Sequence, residues 1–87
     1  MPEITLVVKH KDGLHLRPMG KFIQLAKTFS SDIKVTHGDK TANGKSPLSI
    51  MTLGADQGAK ITIKAEGEDA DQALAALEEL INNNFGE

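Results

Sequence analysis

The chain has 87 residues, of which 39% are hydrophobic and 25% charged. This composition is typical of one modest globular domain spanning residues 1–87 and unlike that of a disordered segment. Without cysteine, disulfides, thiolate metal ligands and a thiol nucleophile are excluded. Ten basic against twelve acidic residues, with three Phe and no Trp or Tyr, disfavour nucleic-acid binding, which usually needs a basic field and stacking platforms.

The first elements are a strand and a helix. Ile4, Leu6 and Val8 alternate with polar residues as in a half-buried strand, although Val7 would then face outward. Asp12-Gly13 supplies a turn, and apolar residues at three- and four-residue spacing predict an amphipathic helix over about residues 16–29. That stripe consists of Met19, Phe22, Ile23, Ala26 and Phe29.

A hairpin follows. Ile33 and Val35 alternate with polar residues, and Gly38-Asp39 turns the chain into the short polar segment Lys40-Thr41-Ala42. The polarity of this segment predicts an edge strand.

A short second helix begins after this hairpin. Ser46 is a suitable N-cap and Pro47 suits the first helical position, so we expect a helix that runs to about Leu53.

The last part of the chain predicts a strand and a helix. Ile61, Ile63 and Ala65 alternate with polar residues, and Asp69 and Gln72 form a variant of the capping box. The apolar stripe of the final helix consists of Ala73, Leu74, Leu77, Leu80 and Ile81. The order βαββαβα predicts an α+β fold, in which a mainly antiparallel four-stranded sheet carries its helices on one face, an open-faced sandwich.

The segment Asp12-Gly13-Leu14-His15-Leu16-Arg17-Pro18 contains the only arginine of the chain. Pro18 is favoured in the first turn of a helix, so the helix start places its unpaired N–H groups beside His15 and Arg17. Such a start is a natural anion site. A neutral imidazole, whose unperturbed pKa is about 6.5, is also a competent nucleophile.

These motifs resemble the family of HPr, the histidine-containing phosphocarrier of the bacterial sugar phosphotransferase system. The residues Gly13 to Pro18 follow its G-x-H-x-R-P motif, and Lys45-Ser46 occupies its regulatory-serine site. Met51-Thr52-Leu53-Gly54 and Gly58 to Ile63 resemble its later signature. The resemblance covers the whole chain and implies the strand order 1-4-2-3.

The resemblance also implies roles for the site residues. His15 would accept a phosphoryl group on Nδ1 from enzyme I, itself charged by phosphoenolpyruvate, and pass it to enzyme IIA domains. Arg17 would clamp the phosphate together with the backbone N–H groups of Leu16 and Arg17. The protein would then be a covalent phosphohistidine intermediate rather than a stand-alone enzyme, with no cofactor.

Two further features follow from the resemblance. Ser46 is a regulatory phosphorylation site in some relatives, acted on by an HPr kinase/phosphorylase, but Pro47 stands where an aliphatic residue is common, so we leave phosphorylation open beside the N-cap role. The family docks its partners through an apolar patch around the histidine. In this chain the patch would comprise Leu16, Met19, Gly20, Pro47, Leu48 and Met51.

Other functions remain as alternatives. The chain is expected to be cytoplasmic and without direct membrane insertion, because no segment resembles a signal peptide or a membrane span. It is also expected to be a monomer. A regulatory module that docks on a transcriptional regulator would have the same fold, although such paralogues lack the active histidine. A carrier in a nitrogen-related or dihydroxyacetone kinase relay would have the same chemistry. His10 and His37 are interpreted as structural, and no carboxylate has ligand-like spacing to them, which disfavours a metal site.

Overall fold

The computed structural model describes residues 2–86, except for the side chain of Leu16. The elements follow the predicted order: β1 (Glu3–Val7), α1 (Leu16–Ala26), β2 (Asp32–His37), β3 (Lys40–Asn43), α2 (Pro47–Met51), β4 (Lys60–Glu66) and α3 (Ala70–Asn82). The strands form one antiparallel sheet in the order β1-β4-β2-β3, so the expected fold class and strand order are confirmed. No helix within residues 2–86 is long and apolar enough to cross a membrane.

The core lies between the sheet and the helices. Strand alternation places Ile33, Val35, Ile61 and Ile63 on the covered face, where each is at most 1% exposed. The opposite face is polar, and Thr5, Thr62, Thr36 and Thr41 form one row across the four strands. The helix stripes supply the other side of the core, through Phe22 and Ala26 of α1 and Ala73, Leu74, Leu77 and Ile81 of α3.

Both early helices end sooner than the sequence predicts. Helix α1 ends at Ala26 rather than at residue 29, because the Thr28 N–H and hydroxyl both donate to the Leu25 carbonyl and tighten the last turn. Phe29 still packs against the core. Helix α2 ends at Met51, two residues before the predicted Leu53, which is buried beyond the helix end.

The segment after α3 was not predicted from the sequence. Asn84 and Phe85 have positive φ angles of 53° and 58°, and this left-handed turn buries the Phe85 ring against His10 at 5.8 Å between ring centroids. The Phe85 carbonyl accepts a hydrogen bond from Lys21 Nζ at 2.8 Å. Burial of the full aromatic side chain, worth about 1.5–3 kcal/mol, offsets part of the backbone strain of about 1–3 kcal/mol per residue that such angles cost.

The capping box predicted at Asp69 is wrong. Asp69 is the N-cap residue of α3, but its side chain makes no capping hydrogen bond. The carboxylate instead accepts hydrogen bonds from the Ser31 hydroxyl and from the N–H groups of Ser30 and Ser31, at 2.8 and 2.9 Å for the two N–H groups. The Ser31 hydroxyl and the Ser30 N–H are the main causes that lower the pKa of Asp69 to about 2. Asp69 thus ties α3 to the loop between α1 and β2.

Asp69→Asn is expected to lower the free energy of unfolding at neutral pH, because a neutral amide is a weaker acceptor for these donors. The folded pKa of about 2 lies below the ordinary 3.8, so the carboxylate contributes fully above pH 3.8 and loses its contribution as the pH falls through about 2. Urea unfolding of both proteins over this range should show a difference that shrinks toward acid. Asp71→Asn, which removes the neighbouring exposed carboxylate of α3, is the control. An equal convergence in that variant would contradict the role of the serine contacts.

Candidate functional site

His15 occupies the N-cap position of α1. Its backbone is extended, with φ −125° and ψ 162°, and its side chain is 35% exposed. The Pro18 ring falls in the first helical turn, as the sequence predicts. The imidazole therefore stands at the positive end of the α1 dipole and is open to solvent.

The first turn of α1 suits an anion. The N–H groups of Leu16 and Arg17 belong to the orphan donors of the helix start, and the first turn contains no acidic residue. Arg17 is exposed and lines an open depression together with Gly20, Lys21 and Gln24. A negative group carried by His15 would lie among positive partial and full charges.

A carboxylate that the sequence did not indicate contacts the histidine. Asp56 Oδ1 lies 2.9 Å from His15 Nε2, and the Asp56 side chain is 84% exposed. Because a carboxylate can only accept, this hydrogen bond assigns the proton to Nε2. In the neutral ring the lone pair is then at Nδ1, the nitrogen that the family resemblance implies as the acceptor.

Strand pairing explains why residues 41 positions apart meet. Strands β1 and β4 are antiparallel, so the loop after β1 runs beside the loop before β4. Three backbone hydrogen bonds of 2.7–2.8 Å join these loops: Val8 N–H to Ala59, Gly58 N–H to Val8 and Leu14 N–H to Ala55. The strand order that the family resemblance implies already places β1 beside β4. Periodicity does not supply that order, and neither signal singles out Asp56 as the residue that contacts His15.

Gly13 allows the closest approach of the two loops. Its φ of +63° is in the left-handed region, and a Cβ atom at this position would lie 2.4 Å from the Ala55 carbonyl oxygen and 2.6 Å from Asp56 Cα. No residue with a side chain fits without moving the loop. The glycine of the G-x-H motif therefore sets the distance between His15 and Asp56.

The predicted docking residues are only partly on the surface. Leu48 is 78% exposed, Met51 is 54% exposed, and Gly20 and Pro47 are also exposed. Met19 is half-buried and packs against the core. The side chain of Leu16 falls outside the described residues.

Ser46 is confirmed as the N-cap of α2. Its Oγ accepts a long hydrogen bond of 3.4 Å from the Ser49 N–H, and its carbonyl accepts from Ile50 at 3.0 Å. Pro47 occupies the first turn, where its missing N–H costs nothing. The Ser49 hydroxyl accepts from the Asn43 N–H at 2.9 Å and joins α2 to the end of β3.

The other two histidines lie in structural positions. His10 is 3% exposed, and its Nδ1 accepts a hydrogen bond from the Asp12 N–H at 3.0 Å. His37 Nδ1 lies 2.9 Å from the Leu53 carbonyl oxygen. Within residues 2–86, no group of three His, Asp or Glu side chains is arranged to hold a metal ion.

The fold and this site define a class of small α+β proteins that present a histidine at a helix start. The family profile described as "PTS HPr component phosphorylation site" matches residues 2–83. The chain therefore belongs to the HPr family, and it is a phosphocarrier that interacts with enzymes of the phosphotransferase system.

Individual relatives and a solved structure are also similar to this chain. The chain is 41% identical over 83 residues to phosphocarrier protein HPr of Neisseria meningitidis, covering 95% of this chain and 93% of that protein. It is 42% identical over 81 residues to a phosphoryl donor subunit of a dihydroxyacetone kinase, DhaM of Providencia stuartii, but spans only 17% of that protein and 93% of this chain. The crystal structure of HPr-C-His from Thermoanaerobacter tengcongensis superimposes with a TM-score of 0.98 at 46% identity, covering 100% of this chain and 98% of that one.

Gly13→Ala is expected to destabilise the protein more than Gly38→Ala. Both glycines have a φ near +63°, at a cost of about 1–2 kcal/mol for a residue with a side chain, but a Cβ on Gly38 meets nothing within 4 Å. The clash with the Ala55–Asp56 backbone should cost Gly13→Ala about 1–3 kcal/mol more. Urea unfolding of the two variants measures this difference. Equal losses would show that the close approach of the loops does not require glycine.

Proposed function

We propose that His15 is the phosphoryl acceptor of this phosphocarrier and that Arg17 and the first N–H groups of α1 hold the phosphate. The observation that carries the proposal is the position of a half-exposed imidazole at the N-cap of an eleven-residue helix, two residues before the only arginine of the sequence. Other histidines are less suitable, since His10 is buried and His37 Nδ1 lies against a carbonyl.

The transfer needs no general base. The Nδ1 lone pair of His15 forms the new N–P bond while the bond from phosphorus to the donor breaks, and the electron pair of that bond returns to the donor. The phosphoramidate carries negative charge, which Arg17 and the N–H groups of Leu16 and Arg17 offset. A single exposed guanidinium offers limited stabilisation, and this suits a group that has to leave again.

The partners proposed for this relay are those that the family implies. Phospho-enzyme I, charged by phosphoenolpyruvate, donates the phosphoryl group, and enzyme IIA domains accept it in the cytoplasm. That the chain acts as a monomer stays a prediction, because one similar solved structure is described as an HPr dimer from Thermoanaerobacter tengcongensis. Regulation through Ser46 by an HPr kinase/phosphorylase, and docking on a transcriptional regulator, also stay predictions.

The apolar residues of α2 are the proposed docking surface. Leu48 and Met51 are exposed large hydrophobic residues, and α2 is in contact with α1, which carries the site. Exposed apolar side chains beside a reactive group are typical of transient interfaces. Met19, being half-buried in the core, contributes mainly to packing.

A dihydroxyacetone kinase relay is the second candidate function. It is favoured by the 42% identity to the DhaM phosphoryl donor subunit over 93% of this chain. The chemistry at His15 would be the same, and only the acceptor would differ. Incubating the phosphorylated protein with an enzyme IIA domain and, in parallel, with a dihydroxyacetone kinase assembly separates the two functions by which acceptor removes the phosphate.

Incubation with phosphoenolpyruvate and enzyme I is expected to add one phosphate to His15, because no other described histidine combines exposure with a helix start. Intact mass spectrometry should show one acid-labile, base-stable phosphate. The variant His15→Ala should take none, and His37→Ala should be labelled like the unsubstituted protein. Unchanged mass after incubation, or label on His15→Ala, would overturn the assignment.

Leu48→Ala is expected to raise the KM for this protein as substrate of enzyme I by about five- to tenfold, because truncating a central interface residue often costs more than 1 kcal/mol. Val7, which is 45% exposed on the polar face of the sheet, provides the matched control. Val7→Ala should leave the KM unchanged. If both variants behave alike, α2 is not the docking surface.

A further inference from the structure

We infer that Asp56 is a positioning residue for phosphoryl transfer: its carboxylate holds the proton on His15 Nε2, keeps Nδ1 available, and offsets the positive charge that the ring gains when Nδ1 is phosphorylated. The inference rests on the proposed function of His15. It deepens that function, because it assigns a role to a side chain of the loop before β4, far from the motif in sequence.

The backbone around Asp56 is anchored although its side chain is exposed. The Ala55 carbonyl accepts from the Leu14 N–H at 2.8 Å, and the Asp56 carbonyl accepts from the Ala59 N–H at 3.0 Å. Gly13 packs directly against the Ala55–Asp56 backbone. The carboxylate is therefore delivered to His15 Nε2, at 2.9 Å, by a loop that is fixed on both sides of the aspartate.

The choice of nitrogen decides what the contact can do. A carboxylate at Nδ1 would block the acceptor and repel a phosphate, whereas Asp56 contacts Nε2 and leaves Nδ1 without that neighbour. A neutral imidazole carries one proton, so holding it on Nε2 places the lone pair at Nδ1. The Asp56 carboxylate would orient the ring, and the His15 imidazole would be the nucleophile. This division of roles recurs in histidine-containing catalytic sites.

The proton at Nε2 does not move during the relay. When the Nδ1 lone pair forms the N–P bond, the donor bond to phosphorus breaks and its electron pair stays with the donor. The ring then carries a phosphoryl group on Nδ1 and a proton on Nε2, which gives it a positive charge opposite the Asp56 carboxylate. In onward transfer the N–P electron pair returns to Nδ1, and the neutral ring is restored with its proton still on Nε2.

The test compares three variants with the unsubstituted protein. Asp56→Asn removes the charge with little change of shape, and Asp56→Glu restores a carboxylate. Asp32→Asn is the control for loss of one exposed carboxylate, because Asp32 begins β2 and pairs with Glu66 at the end of β4 that lies far from the site. Because the pair is exposed, Asp56→Asn should slow phosphoryl acceptance from phospho-enzyme I by about two- to fivefold at unchanged KM. Asp56→Glu should recover part of the rate, and Asp32→Asn should match the unsubstituted protein.

A spectroscopic measurement tests the same contact without any partner. In the ¹⁵N-labelled protein at a pH where His15 is neutral, long-range ¹H–¹⁵N correlations should show Nε2 protonated and Nδ1 bearing the lone pair. An amide at position 56 can donate to Nε2 as well as accept from it, so Asp56→Asn should narrow the difference between the two ¹⁵N shifts. Asp56→Glu should widen it again.

The outcomes separate this inference from the proposed function. If the unsubstituted protein accepts phosphate on His15, while Asp56→Asn has the same rate and the same ring shifts, the role of Asp56 is overturned and the proposed function stands. A rate that falls equally in Asp32→Asn would also overturn it, since net charge would then be the cause. If His15 takes no phosphate, the proposed function fails and this inference fails with it.

Discussion

The site depends on one constraint, the backbone contact between the loop after β1 and the loop before β4. Antiparallel pairing of these strands brings the loops side by side, and three short hydrogen bonds join them. Gly13 permits the closest approach, because a Cβ would overlap the Ala55–Asp56 backbone. The contact fixes the residue before the motif histidine, the start of α1 and the position of Asp56 together. Backbone hydrogen bonds stabilise this contact between the loops, so the contact does not depend on any functional side chain.

Around this contact, the site is built from weak interactions. The imidazole is half-exposed, Arg17 is exposed, and the Asp56 carboxylate is mostly in solvent. Solvent screening limits what each charge contributes. A carrier requires such a balance, because a phosphoryl group held too firmly would not be passed on. The Asp69 carboxylate, whose hydrogen bonds with Ser30 and Ser31 lower its pKa to about 2, serves the fold instead of the chemistry.

Periodicity predicted elements well and their ends poorly. Apolar spacing marked the stripe of α1 correctly, yet Phe29 packs on the core from beyond the helix, since a turn can present a side chain where a helix would. Asp69 shows that local spacing also fails to predict which donors a capping side chain binds. A side chain at an N-cap position can bond its own helix or another segment, and the donors of Ser30 and Ser31 are invisible to local spacing. The left-handed turn that buries Phe85 has only a partial sequence signature, because Asn84 is a residue type that tolerates a positive φ angle and Phe85 is not.

The sequence by itself determined the element order and the two helix starts at His15 and Ser46, and it marked Gly13 to Pro18 as the candidate site, because each depends on residues that are neighbours along the chain. Family resemblance added the strand order. Only the tertiary structure decided that Asp56 contacts His15, that Met19 is half-buried whereas Leu48 is exposed, and that Asp69 binds a loop. These outcomes depend on which strands pair and on how loops fill the space between them. Spacing along the chain carries no record of such contacts, since they form between segments that only folding brings together.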